Sequence, residues 1–330
     1  MTDALLQVDD LRVTFPVGGR EVRAVDGVSF TVEPGQTLAI IGESGSGKTV
    51  CCRAIMGLLP AGTAIRGSAR LRGSELLGLS DAELRRHRGS DVAMVFQDPA
   101  RSLNPTMRAG VQVAEAITTH RKVSKREAST QAVELLRLVR IPAAERRFHE
   151  YPHQLSGGMR QRVMIAIALA CRPKLLIADE ATTALDVTTQ AQIMELLLDL
   201  QKELDMALIM ISHDLGLAAS YADEVVVMYA GKIVEQAPAT QLFGAGGAVR
   251  MRYTRALLDA IPHLDRPAHT QLPIVGGRPP DPTALPPGCS FAPRCQYAED
   301  DCRAKMPTLA EHTPSHRWAC WHPCEEGGAA

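Results

Sequence analysis

The polar and apolar positions of this chain fall into stretches that have the periods of strands and helices. Alternation with a period of two predicts antiparallel edge strands at residues 11–15 and 28–32. Short runs of consecutive apolar residues predict strands at residues 37–41, 175–178 and 207–211. Because every position at 175–178 and 207–211 is apolar, we expect these two strands to be buried and parallel.

Helical spacing of apolar residues separates the predicted strands. It predicts helices at residues 48–59, 125–138, 161–170 and 188–204. Two apolar stretches around Ala230 and Gly231, residues 224–229 and 232–235, predict a β-hairpin. Strands that alternate with helices predict an α/β fold with short crossovers.

Two further changes of pattern suggest how the chain is divided. Residues from about 98 to 167 are more helical and interrupt the strand series, which predicts a helical subdomain. Residues 262–293 hold many of the 21 prolines, and residues 244–247 are rich in glycine. We therefore predict a main domain at residues 1–250. Residues 251–330 would then form an extended tail with little regular structure.

Charge and composition narrow the functional classes. Lysine and arginine number 36 against 37 aspartates and glutamates, for a formal net charge of −1, which argues against a nucleic-acid partner. The first ten residues carry acids where a secretory signal needs basic residues, and no run of eighteen apolar residues is present. The sequence therefore predicts a cytosolic protein, in which thiols stay reduced.

The stretch GESGSGKT at residues 42–49 matches the phosphate-binding pattern G-x-x-x-x-G-K-[ST]. It lies between a predicted strand and a predicted helix, as that pattern requires. Its backbone N–H groups and the helix N-terminus would face phosphate oxygens. Lys48 would bridge the β- and γ-phosphates, and Thr49 would bind Mg²⁺.

Other polar residues follow the apolar runs. Asp179 and Glu180 end the run that begins at Leu175, where Asp179 could hold Mg²⁺ and Glu180 could polarise an attacking water. His213 and Gln97 also follow apolar runs, but each would more often be structural than catalytic. Their spacing alone leaves both roles open.

A second anion-binding helix start is predicted at LSGG, residues 155–158. Ser156, Gly157 and Gly158 expose backbone donors just before a helix. Because one nucleotide does not need two such loops from one protomer, the second loop is expected to serve a partner's nucleotide. This predicts a dimer with two ATP molecules at its interface.

These motifs, in this order, resemble those of the ATP-binding-cassette (ABC) ATPases, whose signature is LSGGQ; here it reads LSGGM. The resemblance implies a P-loop NTPase cassette, with a RecA-like core, an antiparallel β edge and a helical subdomain. It implies that Phe15 stacks on adenine, Gln97 links Mg²⁺ to the transporter contact, Asp186 crosses the dimer interface and His213 contacts the γ-phosphate. Ala181 replaces the family's usual proline after the catalytic glutamate. The implied nucleotide-site residues are Phe15, Gly42, Glu43, Ser44, Gly45, Ser46, Gly47, Lys48, Thr49, Val50, Gln97, Ser156, Gly157, Gly158 and Asp186. Glu180, His213 and Lys48 are implied to be catalytic, and Thr49, Gln97 and Asp179 to hold Mg²⁺.

Longer stretches resemble the ATPase subunits of dipeptide and oligopeptide importers. They are YPHQLSGGM at 151–159, AMVFQDPARSLNP at 93–105, residues 171–193, and VVMYAGKIVE and YTRALLDAIP further on. The resemblance implies an ATPase that energises peptide uptake from the cytoplasmic face of the membrane, as a peripheral protein. Its partners would be a second ATPase subunit, identical or paralogous, two transmembrane permease subunits and, indirectly, an extracytoplasmic peptide-binding protein. Residues 97–121 are our hypothesis for the permease contact.

Other readings remain open from the sequence. One is a soluble ABC ATPase of DNA repair or translation, although neither long coiled-coil insertions nor a tandem cassette is present. Another is an importer for a different small solute, such as nickel chelates or glutathione. A redox enzyme that uses the cysteines ranks last, because no second substrate motif accompanies them.

Five of the eight cysteines lie between residues 289 and 324, with the spacing C-x5-C-x6-C-x17-C-x3-C. From spacing alone, zinc and an iron–sulfur cluster are equally open. The peptide-importer group carries G-C-x-F-x-P-R-C-x-x-A-x-x-x-C in a small Cys-rich extension, which residues 288–302 reproduce. The resemblance implies a [4Fe–4S] cluster on Cys289, Cys295, Cys302 and Cys320, with Cys324 spare. Three histidines keep a mixed-ligand zinc site open: His312, His316 and His322.

Overall fold

The computed structural model describes residues 4–182, 185–244, 247–261 and 275–325. Its first strands are β1 (Leu6–Val17), β2 (Arg20–Val32), β3 (Thr37–Ile41), β4 (Ala64–Leu71), β5 (Ser74–Glu75) and β6 (Val92–Val95). The later strands are β7 (Leu175–Asp179), β8 (Ala207–Ser212), β9 (Glu224–Tyr229), β10 (Lys232–Pro238), β11 (Ala310–Thr313) and β12 (His316–Trp318).

The helices of the first half are α1 (Lys48–Ile55), α2 (Asp81–His87), α3 (Pro99–Ser102), α4 (Ala109–His120), α5 (Lys125–Leu138) and α6 (Ala144–Phe148). The later helices are α7 (Gly157–Ala168), α8 (Val187–Leu204), α9 (Leu215–Tyr221), α10 (Ala239–Phe243), α11 (Arg252–Asp259) and α12 (Asp300–Ala304). Across the described ranges, none of them has both the length and the hydropathy needed to cross a bilayer.

The structure confirms the predicted strands and helices, although β1 begins at Leu6 and β2 at Arg20, well before the predicted starts at residues 11 and 28. β3 and α5 have the predicted bounds, and β9 and β10 form the predicted hairpin. Helix α1 ends at Ile55 rather than near residue 59, because Gly57 adopts a left-handed φ of 62° and stops the helix. Helix α7 begins at Gly157, earlier than predicted, because Ser156 caps it with a hydrogen bond from the Met159 N–H.

One compact unit of the chain comprises Met1–Leu6, Val32–Thr37 and Arg70–Ile211. Its strands pair in parallel in the order β6-β7-β8, with Val95 opposite Ala178 and Asp179 opposite Ile211. Every residue of these strands is buried, as expected for strands covered on both faces. Residues 98–167 contribute α3 to α7, which pack on one another within this unit.

The other unit comprises Gln7–Thr31, Leu38–Ala69 and Ser212–Ala330. In it β1 lies between β2 and β4, and β3 pairs in parallel with β9. The alternating burial of β1 confirms an edge sheet with one buried face. Helix α1 is the next element after β3, and the loop between them, residues 42–47, lies at the carboxyl end of a buried strand.

The predicted tail contains a few short elements in its described part, namely α11, α12, β11 and β12. Strands β11 and β12 form a hairpin, and β12 pairs with β10 through Glu235 opposite Trp318. The Ala319 N–H also donates to the Val234 carbonyl at 2.9 Å. Each tail strand is too short to give a periodic signal, and the β10 edge supplies the missing partner.

Candidate functional site

The loop between β3 and α1 has the backbone that a phosphate-binding loop requires. Gly42 and Gly47 have φ values of 149° and 104°, a region that L-residues with side chains rarely adopt. A Cβ at Gly42 would collide with the Met228 carbonyl oxygen, and one at Gly47 with the Ala24 carbonyl oxygen. Glycine is therefore required at both positions for the loop to lie this close to the neighbouring backbone.

Lys48 is turned back onto this loop. Its Nζ donates hydrogen bonds to the carbonyl oxygens of Gly42 at 2.6 Å and Glu43 at 2.9 Å, and the residue is only 4% exposed. The ammonium group thus lies at the start of α1, where the helix dipole also favours negative charge. Thr49 and Val50 follow in the first turn of α1, both half-buried. This combination suits the binding of an anion such as a phosphate chain.

Phe15 lies beside the loop, as a nucleotide site requires. It lines a cavity of about 240 Å³ together with Glu43, Ser44, Gly45 and Ser46. His213 belongs to the same compact unit, directly after β8, and is exposed.

Gln97 and Glu180 meet in the unit that contains β6 and β7. The Gln97 Nε2 donates to the Glu180 Oε2 at 2.7 Å, since parallel neighbouring strands place both residues at the same edge. Asp179, the last residue of β7, is 1% exposed. Glu180 has a left-handed φ of 47°, and its N–H donates to the Ile211 carbonyl at 3.1 Å. A strained backbone of this kind is frequent at functional positions.

Two helix starts of this same unit lie side by side. Ser156 caps α7 and Asp186 caps α8. A Cβ on Gly158 would come within 2.9 Å of the Thr189 Cγ2 in the first turn of α8. Backbone and hydroxyl hydrogen bonds from Thr189 lower the pKa of Asp186. Ser156, Gly157 and Asp186 are exposed, so this pair of helix starts is accessible to a partner.

Electrostatic interactions link four of the tail cysteines. Burial is the main cause of the raised pKa of Cys289, Cys302 and Cys320, and in each case the Cys295 thiol adds to it. The Cys289 N–H also donates to the Cys302 carbonyl at 2.7 Å. Burial raises the pKa of Cys320 to about 11, with a further contribution from two of these thiols. The charged neighbours of Cys324 are instead Arg252, Arg255 and Glu235.

The three tail histidines have different surroundings. His316 is buried with its Nε2 2.9 Å from the Glu235 Oε1, and His312 stacks on Trp318 at a centroid distance of 4.2 Å. His322 lies 3.0 Å from Asp301 and, with Cys302, forms a group whose donor atoms are within 4.8 Å of one another. Of the three, only His322 lies in a group with a cysteine that could hold a metal ion in the described part of the chain.

Arg294 joins the cysteine region to the phosphate-binding loop. Its Nη1 and Nη2 donate to the two carboxylate oxygens of Glu43 at 2.6 and 2.9 Å, and its side chain is 3% exposed. The hydrogen bond to Glu43 is the main cause of the raised pKa of Arg294. Tyr253 reinforces the contact, because its hydroxyl accepts the Glu43 N–H at 2.8 Å. Arg294, the residue before Cys295, thus holds Glu43, the second residue of the phosphate-binding loop.

Replacing Arg294 with methionine is expected to lower the free energy of unfolding by about 2–3 kcal/mol. This is less than the cost of breaking a fully buried pair, because Glu43 remains 26% exposed. Urea denaturation would measure the change. The matched control is Arg303→Met, whose exposed pair with Asp300 is expected to contribute less than about 1 kcal/mol. Equal stability losses in the two variants would contradict the role of Arg294.

Sequence reasoning missed Arg294, Tyr253 and the prolines near the loop. Arg294 lies inside the cysteine motif, where its position before Cys295 is visible but its partner, 251 positions away, is not. Tyr253 packs against Tyr229 and Phe291 at centroid distances of 4.5 and 5.4 Å, and its hydroxyl is then free to reach the loop. Single aromatic residues in a helix and a tail carry no pattern that predicts such a cluster.

Comparison with known proteins agrees with this arrangement. The family model "ABC transporter" matches residues 25–183, and "Oligopeptide/dipeptide transporter, C-terminal region" matches residues 234–302. The oligopeptide transport ATP-binding protein OppD of Escherichia coli K12 is 50% identical over 98% of this chain and 95% of its own length. Its namesake in Bacillus subtilis 168 is 48% identical over 97% and 89%.

Solved structures give the same result for the fold. The ATP-binding cassette MJ0796, in a dimeric post-hydrolysis state bound to ADP and Pi, matches with a TM-score of 0.64 at 28% identity. The match covers 71% of this chain and 98% of that one. The cbiO1 protein of Clostridium perfringens, part of the cbiONQ transporter complex, matches with a TM-score of 0.63 at 28% identity over 73% and 91%. The chain belongs to the ABC-transporter ATPases, in the group that carries the oligopeptide/dipeptide transporter C-terminal region.

Proposed function

We propose that this chain is the ATP-hydrolysing subunit of an importer for dipeptides or oligopeptides. The observation that carries this proposal is the combination of a nucleotide cassette with the cysteine-bearing C-terminal region in one chain. Relatives named for oligopeptide transport share about half of their residues with it over nearly the full length. A 330-residue ATPase with this tail is therefore best explained as a transporter subunit rather than a free-standing hydrolase.

ATP is proposed to bind along residues 42–50, with Phe15 against the base and Lys48 on the phosphates. Thr49, Gln97 and Asp179 are the proposed Mg²⁺ ligands. Their hydroxyl, amide and carboxylate oxygens are the donors that this hard cation prefers. Mg²⁺ would neutralise charge on the transferred phosphoryl group.

Glu180 is the proposed base that orients and polarises the attacking water. The hydrogen bond that the Gln97 amide donates holds the Glu180 carboxylate in place. His213 and Lys48 are proposed to stabilise negative charge on the γ-phosphate. Glu180 and His213 act on charge that moves or grows during hydrolysis, so their loss should affect the rate more than nucleotide binding, whereas loss of Lys48 should also weaken nucleotide binding.

A second ATPase subunit is the proposed partner across the nucleotide. The exposed helix starts at Ser156, Gly157 and Asp186 support this, because they offer N–H donors that this chain's own loop does not need. Val187 beside them is 83% exposed, an apolar side chain that a partner would cover. Residues 97–121, which contain α3 and α4, are proposed to contact one of two permease subunits. The protein would thereby be held at the cytoplasmic face of the membrane.

The thiols of Cys289, Cys295, Cys302 and Cys320 are proposed to hold a [4Fe–4S] cluster. Four cysteines are the ligand set that such a cluster uses, and the electrostatic interactions among these thiols support the proposal, whereas the charged groups that act on Cys324 are Arg252, Arg255 and Glu235. Zinc on Cys302 and His322 is the alternative. Either group would act structurally, as a crosslink within a proline-rich region that buries little apolar surface.

The full importer is expected to hydrolyse ATP faster when its binding protein carries a peptide. The test is to purify the chain with its permeases and partner ATPase, reconstitute them in vesicles and measure phosphate release with and without peptide. Replacement of the exposed residues of 97–121 should uncouple transport and spare basal hydrolysis. Stimulation by nucleic acid instead of peptide, or the absence of any peptide response, would contradict the proposed function.

A further inference from the structure

The cavity beside the phosphate-binding loop is lined in part by the C-terminal tail. The cassette contributes Phe15, residues 22–24 of β2, residues 43–46 of the loop and residues 229–231 of the hairpin. The tail contributes Pro279, Pro280, Pro282 and Leu285. The lining on the tail side is therefore entirely apolar, and it faces the same space as the aromatic ring of Phe15.

The size of the cavity suits part of a nucleotide. Its volume of about 240 Å³ is below the roughly 300–1,000 Å³ of pockets that enclose a whole ligand. The phosphate-binding residues Ser44, Gly45 and Ser46 form one margin, so a phosphate chain on the loop would leave the cavity for the base and sugar. An apolar space next to an aromatic ring is the environment that a flat base prefers.

Local contacts hold the tail segment in place. Three prolines fix their own φ angles, and Asp281 accepts hydrogen bonds from the Thr283 N–H and hydroxyl at 2.8 and 2.7 Å. The hydroxyl bond is the largest cause of the lowered pKa of Asp281, and Arg20 on β2 adds to it. At the start of the segment, the Gly276 and Val275 carbonyls accept bonds from the Arg294 Nε at 2.8 Å and Nη2 at 3.3 Å.

Arg294 therefore fixes the tail segment and the phosphate-binding loop at once, since the same guanidinium also pairs with Glu43. Prolines and local hydrogen bonds restrict the segment, and a restricted segment loses less conformational entropy when a ligand contacts it. Pro280 and Leu285 are both half-buried, so each has apolar surface left for a ligand to cover.

We propose that residues 279–285 form part of the adenine-binding wall, so that the base of ATP contacts Pro280 and Leu285 as well as Phe15. This rests on the proposed function of the loop as an ATP site. It assigns to the C-terminal region a direct part in nucleotide affinity and base selection, in addition to any metal that it holds. Pro280 and Leu285 touch the base and not the phosphates.

The test compares a nucleotide with its phosphate chain alone. Titration calorimetry on the full-length chain would use the non-hydrolysable ATP analogue AMP-PNP and, separately, tripolyphosphate, both with Mg²⁺. The double substitution Pro280→Ala/Leu285→Ala is expected to raise the Kd for AMP-PNP about three- to tenfold, because apolar contact area is lost. The Kd for tripolyphosphate should stay unchanged, which also shows that the variant is folded.

Pro287→Ala is the matched control, since Pro287 is exposed in the same segment and does not line the cavity. The proposed contact of residues 279–285 with the base would be contradicted if the double variant bound AMP-PNP with unchanged affinity, or if it lost equal affinity for AMP-PNP and tripolyphosphate. Even then, Phe15→Ala should weaken the binding of AMP-PNP and not of tripolyphosphate, so the proposed function would stand. If the wild-type chain did not bind AMP-PNP, or if Lys48→Ala bound it with full affinity, both the proposed function and the proposed base contact would be contradicted.

Discussion

Replacing Glu180 with glutamine is expected to slow ATP hydrolysis by about 10²–10⁴-fold while ATP still binds. The amide has the shape of the carboxylate and can keep the neighbouring Gln97 side chain in place, but it cannot accept a proton from water. The left-handed backbone at this position does not change, because the two side chains branch at the same atom. Steady-state phosphate release measures the rate. Because ATP stays bound and is not hydrolysed, the variant should also remain as a dimer with ATP between its subunits, and size-exclusion chromatography with ATP and Mg²⁺ measures this trapped dimer.

The control is Glu195→Gln, an exposed position on α8 of the same unit. It should hydrolyse ATP at the wild-type rate and form no trapped dimer. A Glu180→Gln variant that retains more than about a tenth of the wild-type rate would remove Glu180 from its role, since general-base catalysis contributes at least about a hundredfold. Loss of ATP binding in this variant would point instead to a structural function of the carboxylate.

Replacing Cys302 with serine is expected to abolish metal binding by the tail. Cys302 is a buried member of the proposed ligand set and interacts electrostatically with Cys295, and a hydroxyl is a poor substitute for a thiolate at iron. After anaerobic purification the wild type should contain about four iron atoms per chain and absorb visible light, and the variant should contain none. Because metal binding stabilises such regions by about 10 kcal/mol or more, limited proteolysis should cut the variant tail rapidly.

Cys324→Ser is the matched control for this experiment. Cys324 is also buried, and the charged groups that act on it belong to α11 and β10. It should keep the iron, the colour and the resistant tail. Loss of iron from Cys324→Ser, or its retention in Cys302→Ser, would contradict the ligand set. A colourless wild type that contains zinc would favour the site at Cys302 and His322.

The sequence predicts the cassette well because its signals are local. An apolar run followed by GESGSGKT specifies β3, the loop and α1 within twenty residues, and LSGG marks the start of α7 in the same way. Each of these predictions rests on residues that are neighbours in the chain. The hydrogen bond between Gln97 and Glu180, which the sequence does not predict, joins the ends of two adjacent parallel strands.

The tail is harder to predict because its structure depends on distant residues. Arg294 pairs with Glu43, β12 pairs with β10, and Leu285 lines the same cavity as Phe15. None of these contacts produces a periodic pattern in the sequence. The strands β11 and β12 are four and three residues long, too short for a pattern of alternation to be recognised. The division of the chain near residue 250 remains a prediction.

The pairing of β12 with β10 also bears on how the protein can be handled. Without the tail, β10 would present a row of unpaired backbone groups, the kind of open edge along which proteins aggregate. Glu235, which is 0% exposed and contacts His316, would at the same time lose that partner. A shortened cassette made for biochemical work is thus expected to be poorly soluble, and its behaviour would say little about the intact ATPase.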